Sequence, residues 1–145
     1  MRKDFDTWNG EKKRINEHDT GALYFYEREI WWCSLGVNVG FEQDGTNELF
    51  QRPVVILKKY NPQIFLALPL STTSKRGSYY WPVGIVDGEQ AVAILSQLRL
   101  LDSKRLTNRI GILGKKEFDL LVGETVAANF PTLKSSPPPG GGGKP

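Results

Sequence analysis

From Glu29 to Leu113 the chain is written in short apolar runs, each closed by a turn signal, and a helical period appears only after Lys115. That grammar constrains the fold more than any other feature. The run Glu29–Leu35 (EIWWCSL) is aromatic and apolar and stops at Gly36. Pro53–Lys59 (PVVILKK) closes at Asn61-Pro62, and Ile64–Leu70 (IFLALPL) follows at once, which predicts an antiparallel hairpin. Tyr79–Val83 and Ala91–Leu95 flank an Asp87-Gly88 turn, and Ile110–Leu113 is a last short strand. Lys115–Ala128 then places Phe118, Leu121, Val122 and Val126 on one helical face, with Gly123 as a weak point in its middle. Many short strands followed by one packing helix predict a mainly β fold, a small barrel or curled sheet, and argue against a βαβ array.

The flanks read differently. Residues 1–23 form an arm in which Phe5, Trp8 and Ile15 alternate with Lys12, Lys13 and Arg14. This predicts a short amphipathic helix interrupted at Asn9-Gly10, with Trp8 laid on the barrel. Residues 24–130 are expected to be the folded domain. Residues 131–145, ending in SSPPPGGGGKP, have nothing to bury and are expected to be a disordered tail.

Composition excludes whole classes of chemistry. At 145 residues the chain has room for one domain with a modest core. Cys33 is the single cysteine, so no internal disulfide and no thiolate metal cluster is available, and its apolar neighbours predict a buried thiol. His18 is the single histidine, in a polar segment, which excludes a two-histidine acid/base pair and a multi-histidine metal site. No cofactor is expected. Hydrolysis or transesterification must fall to Arg, Lys, Ser, Thr, Asp or Glu. The net charge of +3 suits a polyanionic partner without requiring one. With no apolar segment behind the basic N-terminus, and no run of roughly 20 apolar residues, the chain is expected to be cytoplasmic and off the membrane.

Three segments carry residues suited to phosphate chemistry. The loop from Gly36 to Gln51 holds two exposed-looking phenylalanines, Phe41 and Phe50, and delivers Arg52 to the head of the next strand. Ser71, Thr72, Thr73 and Ser74 then gather beside Lys75 and Arg76 at the end of an apolar strand. Hydroxyls and cations of this kind hold phosphate oxygens, but the same residues also make a hairpin turn capped by Gly77. Gln97 and Arg99 alternate with leucines, so both are expected on one face of a strand. Arg99 is suited equally to RNA contact and to an ion pair with Asp102 or a loop carboxylate. Lys104, Arg105 and Arg109 read as a solvated basic face.

The order GFEQ…RPVVIL, ALPLSTTSK, ILSQLRLLDSKRL resembles the MazF/PemK toxins across about Glu29 to Leu121. The resemblance implies a compact barrel, shared with the gyrase poison CcdB, and a homodimeric endoribonuclease that cuts single-stranded RNA without a metal. It implies 2′,3′-cyclic phosphate and 5′-hydroxyl products, and a cognate antitoxin that covers the RNA surface. Arg52 falls on the family's catalytic arginine. The hydroxyl partner, usually threonine, falls on Ser71, with Thr72 one place on. Gln97 and Arg99 fall on the strand bordering the RNA channel; Lys75, from the hydroxyl-rich segment, is a further candidate for RNA contact. Phe41 and Gln43 join Gln97 as candidates for base recognition, and Glu42 is a candidate base. The arginine and aspartate of Kid-like members stand here as Ile94 and Ser96, so their acid/base arrangement does not transfer. A non-enzymatic gyrase poison and an RNA-binding barrel without activity are the alternatives.

Overall fold

The computed structural model describes residues 2–18 and 23–134. An N-terminal helix, α1 (Phe5–Glu17), precedes seven strands: β1 (Glu29–Ser34), β2 (Gln51–Lys59), β3 (Ile64–Ser71), β4 (Tyr80–Val86), β5 (Glu89–Ile94), β6 (Arg99–Asp102) and β7 (Leu106–Ile112). The helix α2 (Lys115–Asn129) and a short turn of helix, α3 (Pro131–Lys134), follow. The rest of the expected tail, residues 135–145, lies outside the described residues, as do 19–22 in the arm.

The strands pair in the order β4-β5-β3-β2-β1-β7, and every pairing is antiparallel. Strand β3 is the bend of the sheet. Its first half pairs with β6 from Ile64 to Ala67, while Leu70 and Ser71 pair with β5. The expected β2–β3 hairpin is present, with Val54 opposite Pro69 and Val55 opposite Leu68.

Alternation along β2 explains why its sequence is a continuous apolar run. Val54 and Ile56 enter one core with Phe25, Trp31, Cys33 and Phe65 inside the curl. Val55 points the other way, into a second core with Ile30, Leu68 and Leu70 under Leu121 of α2. Both faces of the strand are covered, so neither is polar. The mostly β, curled antiparallel sheet with a packing helix is therefore as the residue pattern predicts.

Several details differ from the sequence reading. Helix α1 runs unbroken through Asn9-Gly10, because Asp4 caps its start by accepting from the Thr7 amide at 3.0 Å. Burial of Trp8 and Ile15 offsets the glycine cost, whereas Phe5 stays exposed. On α2 the buried stripe is Phe118, Leu121, Thr125 and Ala128, while Val126 faces outward. Thr125 tolerates burial because its hydroxyl donates to the Leu121 carbonyl at 2.7 Å. Strand β7 begins at Leu106, not Ile110, since its polar LTNR half lies at the sheet edge beside β1. Between β4 and β5, Asp87 and Gly88 both have positive φ, the geometry a two-residue hairpin needs.

Candidate functional site

The head of β2 and the end of β3 build one pocket of about 380 Å³. Arg52, Ser71, Thr72, Lys75 and Gln43 all line it. Continuing the β2–β3 register two residues beyond Val54 and Pro69 sets Arg52 across from Ser71. The two positions therefore share a side of the sheet. The guanidinium is held from three directions. Its Nε donates to the Asp44 carbonyl at 2.7 Å, and Nη1 donates to the Leu70 carbonyl at 3.2 Å. The Gln43 amide oxygen, turned toward the arginine, accepts from Nε at 3.1 Å and Nη2 at 2.9 Å. Burial lowers the Arg52 pKa from its usual value, and the charge of Asp44 opposes that shift.

The hydroxyl segment is a turn but not the expected hairpin, since β3 pairs with β5 and not with β4. Ser71 is buried, and its Oγ lies 2.8 Å from Thr73 Oγ1 while accepting from the Thr73 amide at 3.3 Å. This is a Ser/Thr turn, and Gly77 with φ +132 ends the segment. The same turn aims Thr72 and Thr73 into the pocket. Lys75 stands over the Tyr80 ring, 5.7 Å from its centre, at the pocket's edge.

The remaining expected residues lie outside the pocket lining and under or on the loop. Phe41 is 93% exposed at the loop tip. Phe50, expected to be exposed, instead packs its ring 5.5 Å from that of Trp8. Glu42 folds back on the loop, its Oε1 accepting from the Val39 amide at 2.9 Å. Gln97 is not on a strand: it closes a 3₁₀ turn, Leu95–Gln97, so the period-two placement with Arg99 does not hold. Its amide accepts from Gln43 N at 3.2 Å and donates to the Phe41 carbonyl at 3.4 Å, which fastens the loop to the barrel.

Arg99 makes no ion pair among the described residues, and Asp102 accepts from the Lys104 amide at 2.8 Å. Its Nη1 is buried without a partner, and burial together with Arg105 lowers its pKa. Lys104 and Arg105 are not a free basic face either. Lys104 donates to the Asn16 carbonyl at 2.8 Å, and Arg105 donates to the Ser34 carbonyl at 3.0 Å under the Trp8 ring. Both tie α1 to the barrel. Arg109 approaches Glu29 at 3.7 Å.

The pocket also has walls that sequence reasoning passed over. Trp32 lines it, and alternation in EIWWCS could have found it, since Trp31 points into the core and Trp32 must then point out. Asp87 and Glu89 line it as well, although the Asp87-Gly88 signal read only as a turn. Among the described residues no three His, Cys, Asp or Glu side chains converge as a metal site. None of the described helices is long and apolar enough to cross a membrane.

A curled antiparallel sheet carrying a cation-and-hydroxyl pocket at one strand end, backed by a C-terminal helix, is the class of protein that results. Solved structures of that class share the fold. MazF from Deinococcus radiodurans superposes with a TM-score of 0.62 at 19% identity, covering 73% of this chain and 97% of that one. The Mycobacterium tuberculosis toxin MazF-mt6 gives 0.55 at 19% identity over 70% and 95%. An endoribonuclease from Mycobacterial species, in complex with its cognate antitoxin, gives 0.54 at 13% identity over 72% and 94%. No curated relative matches the chain in sequence. Residues 26–127 match the family model described as PemK-like, MazF-like toxin of type II toxin-antitoxin system, and the chain belongs to that family.

Proposed function

We propose that the chain is the toxin of a type II toxin-antitoxin pair and an endoribonuclease that cuts single-stranded RNA in the Arg52 pocket. The observation that carries the reading is that Arg52 and the Ser71–Thr73 hydroxyls line the same 380 Å³ space, with Lys75 at its edge. RNA brings its own nucleophile, the ribose 2′-hydroxyl. Attack on the adjacent phosphorus breaks the bond to the 5′ oxygen and leaves a 2′,3′-cyclic phosphate and a 5′-hydroxyl. Such a step needs alignment and stabilisation of growing negative charge. Arg52 supplies that charge as a fork of donors, and Thr72 or Ser71 adds a hydrogen bond to the same phosphoryl oxygens.

A guanidinium is a poor base, so the proton of the 2′-hydroxyl goes to a carboxylate, while the departing 5′ oxygen takes a proton from water to become the 5′-hydroxyl. Glu42 is occupied within its own loop, whereas Asp87 and Glu89 line the pocket, so the base is assigned to the β4–β5 turn. Trp32 and Phe41 offer ring faces to unpaired bases. The enzyme acts as a homodimer in the cytoplasm, and a cognate antitoxin blocks the same surface.

Incubation of the purified chain with a long RNA and a chelator, followed by mapping of the ends, tests this directly. New 5′-hydroxyl ends opposite cyclic phosphates are expected. Bound but intact RNA, or gyrase-linked DNA breaks with no RNA cleavage, would overturn it.

A further inference from the structure

We infer that Lys3, in the arm outside the family-matched region, is a positioning residue that sets Arg52 through Asp44; the inference rests on the nuclease reading of the pocket. The Lys3 ammonium is inserted among loop oxygens. It donates to the Asn38 carbonyl at 2.6 Å and the Gly40 carbonyl at 2.7 Å, and pairs with Asp44 Oδ2 at 2.9 Å. Those three oxygens match its three donors, and only 9% of the side chain is exposed. Burying an ammonium is costly unless every donor is satisfied, and here all three are, so the contact is a fixed joint and not a surface pair.

Asp44 passes the constraint on. Its Oδ1 accepts from the Asn38 amide at 2.7 Å, which locks the loop around it, and its own carbonyl receives Arg52 Nε at 2.7 Å. The neighbouring Gln43 holds the other edge of the guanidinium. The arm grips the same loop at its two ends as well. Trp8 packs on Phe50, and it lies so close over Gly36 that any Cβ there would strike the indole. Gly36 also has φ +79, a second reason that no other residue fits. The arm thus holds the loop at its start and end through Trp8 of α1 and at its middle through Lys3 ahead of the helix, and the middle grip reaches Arg52.

A positioning role predicts a particular kinetic pattern. Lys3→Met frees the loop centre while Trp8 keeps α1 docked, so Arg52 loses alignment without the pocket losing its walls. The variant is expected to lower kcat about ten- to a hundredfold, with KM nearly unchanged. Asp44→Asn is expected to behave alike, and the double variant to be no worse than either single one, since both act through one joint. Amide hydrogen exchange across residues 36–50 is expected to accelerate in both variants. Lys13→Met, exposed on α1 in the same arm, serves as the control with unchanged kinetics.

Wild-type cleavage with equal kcat and equal loop exchange in Lys3→Met would overturn the inference. Should the wild-type chain leave RNA intact, the nuclease reading fails by itself. Loop exchange then decides the joint, with slow exchange in Lys3→Met refuting it.

Discussion

Arg52 Nη1 reaches the Leu70 carbonyl at 3.2 Å, so the guanidinium is tied to the residue immediately before Ser71. A strand-to-strand hydrogen bond of this kind makes the spacing between the cation and the hydroxyl turn a property of the sheet. It does not depend on where a flexible side chain happens to settle.

The first prediction follows from that tether. Arg52→Ala is expected to cut the single-turnover cleavage rate about a hundredfold or more, the usual loss of one charge-stabilising donor. Arg52→Lys should recover little, because an ammonium lacks the planar fork that bonds the Asp44 and Leu70 carbonyls and still presents parallel donors to a phosphate. Circular dichroism should show both variants folded. Cleavage by purified Arg52→Ala at the wild-type rate would remove the arginine from the mechanism.

Glu89→Gln and Asp87→Asn separate chemistry from binding. Asp87 lines the pocket from the β4–β5 turn and Glu89 from the first position of β5. Loss of the base should depress the rate while RNA affinity holds or rises, since a negative charge beside the phosphate has been removed. A variant with normal rate and altered affinity would assign that carboxylate to electrostatics alone.

Trp32 is expected to act on recognition. Stacking of one base on an aromatic face is worth about 1–3 kcal/mol, so Trp32→Ala should weaken binding of short single-stranded RNA roughly 5- to 150-fold. Fluorescence titration with an uncleavable 2′-deoxy oligonucleotide measures it. Equal affinity would make Trp32 a pocket wall only.

The fold was legible because its central strands, β2 and β3, are buried on both faces over most of their length. Runs such as VVIL and IFLAL have no polar alternation to lose, and each is bounded by Gly, Pro or Asn-Pro. Arg52 and Ser71 were legible for a related reason, as polar residues at the two ends of paired apolar strands. Gln97 and the polar half of β7 were not. A 3₁₀ turn and an edge strand have no apolar period of their own, and their positions follow from contacts made far along the chain. The joint between Lys3 and Asp44 spans about forty residues and leaves no local signal at all.

Gly123 offers a test of the packing helix without touching the site. It is exposed in α2, and a Cβ added there meets nothing within 4 Å. Gly123→Ala should therefore stabilise the protein by up to about 1 kcal/mol, through helix propensity and a less free unfolded chain. Chemical denaturation should show a raised midpoint with the slope unchanged. Destabilisation would mean that this face of α2 is covered by another molecule in solution.

Cys33 ties the core to pH. The thiol is fully buried between β1 and its neighbours, and burial raises its pKa to about 12 from 9.0. In the unfolded chain it ionises near 9.0, so the native state holds the proton where the unfolded state has lost it. The stability due to the neutral thiol is complete below pH 9 and falls as pH rises toward 12. At its steepest this contributes a slope of about 1.4 kcal/mol per pH unit. Cys33→Ala should lower stability below pH 9 by leaving a small cavity, yet flatten the alkaline decline relative to the parent chain. Thiol reagents at pH 8 should leave the native protein unmodified and label one equivalent after denaturation. Rapid native labelling would show that β1 opens on its own, and the core described around Cys33 would need revision.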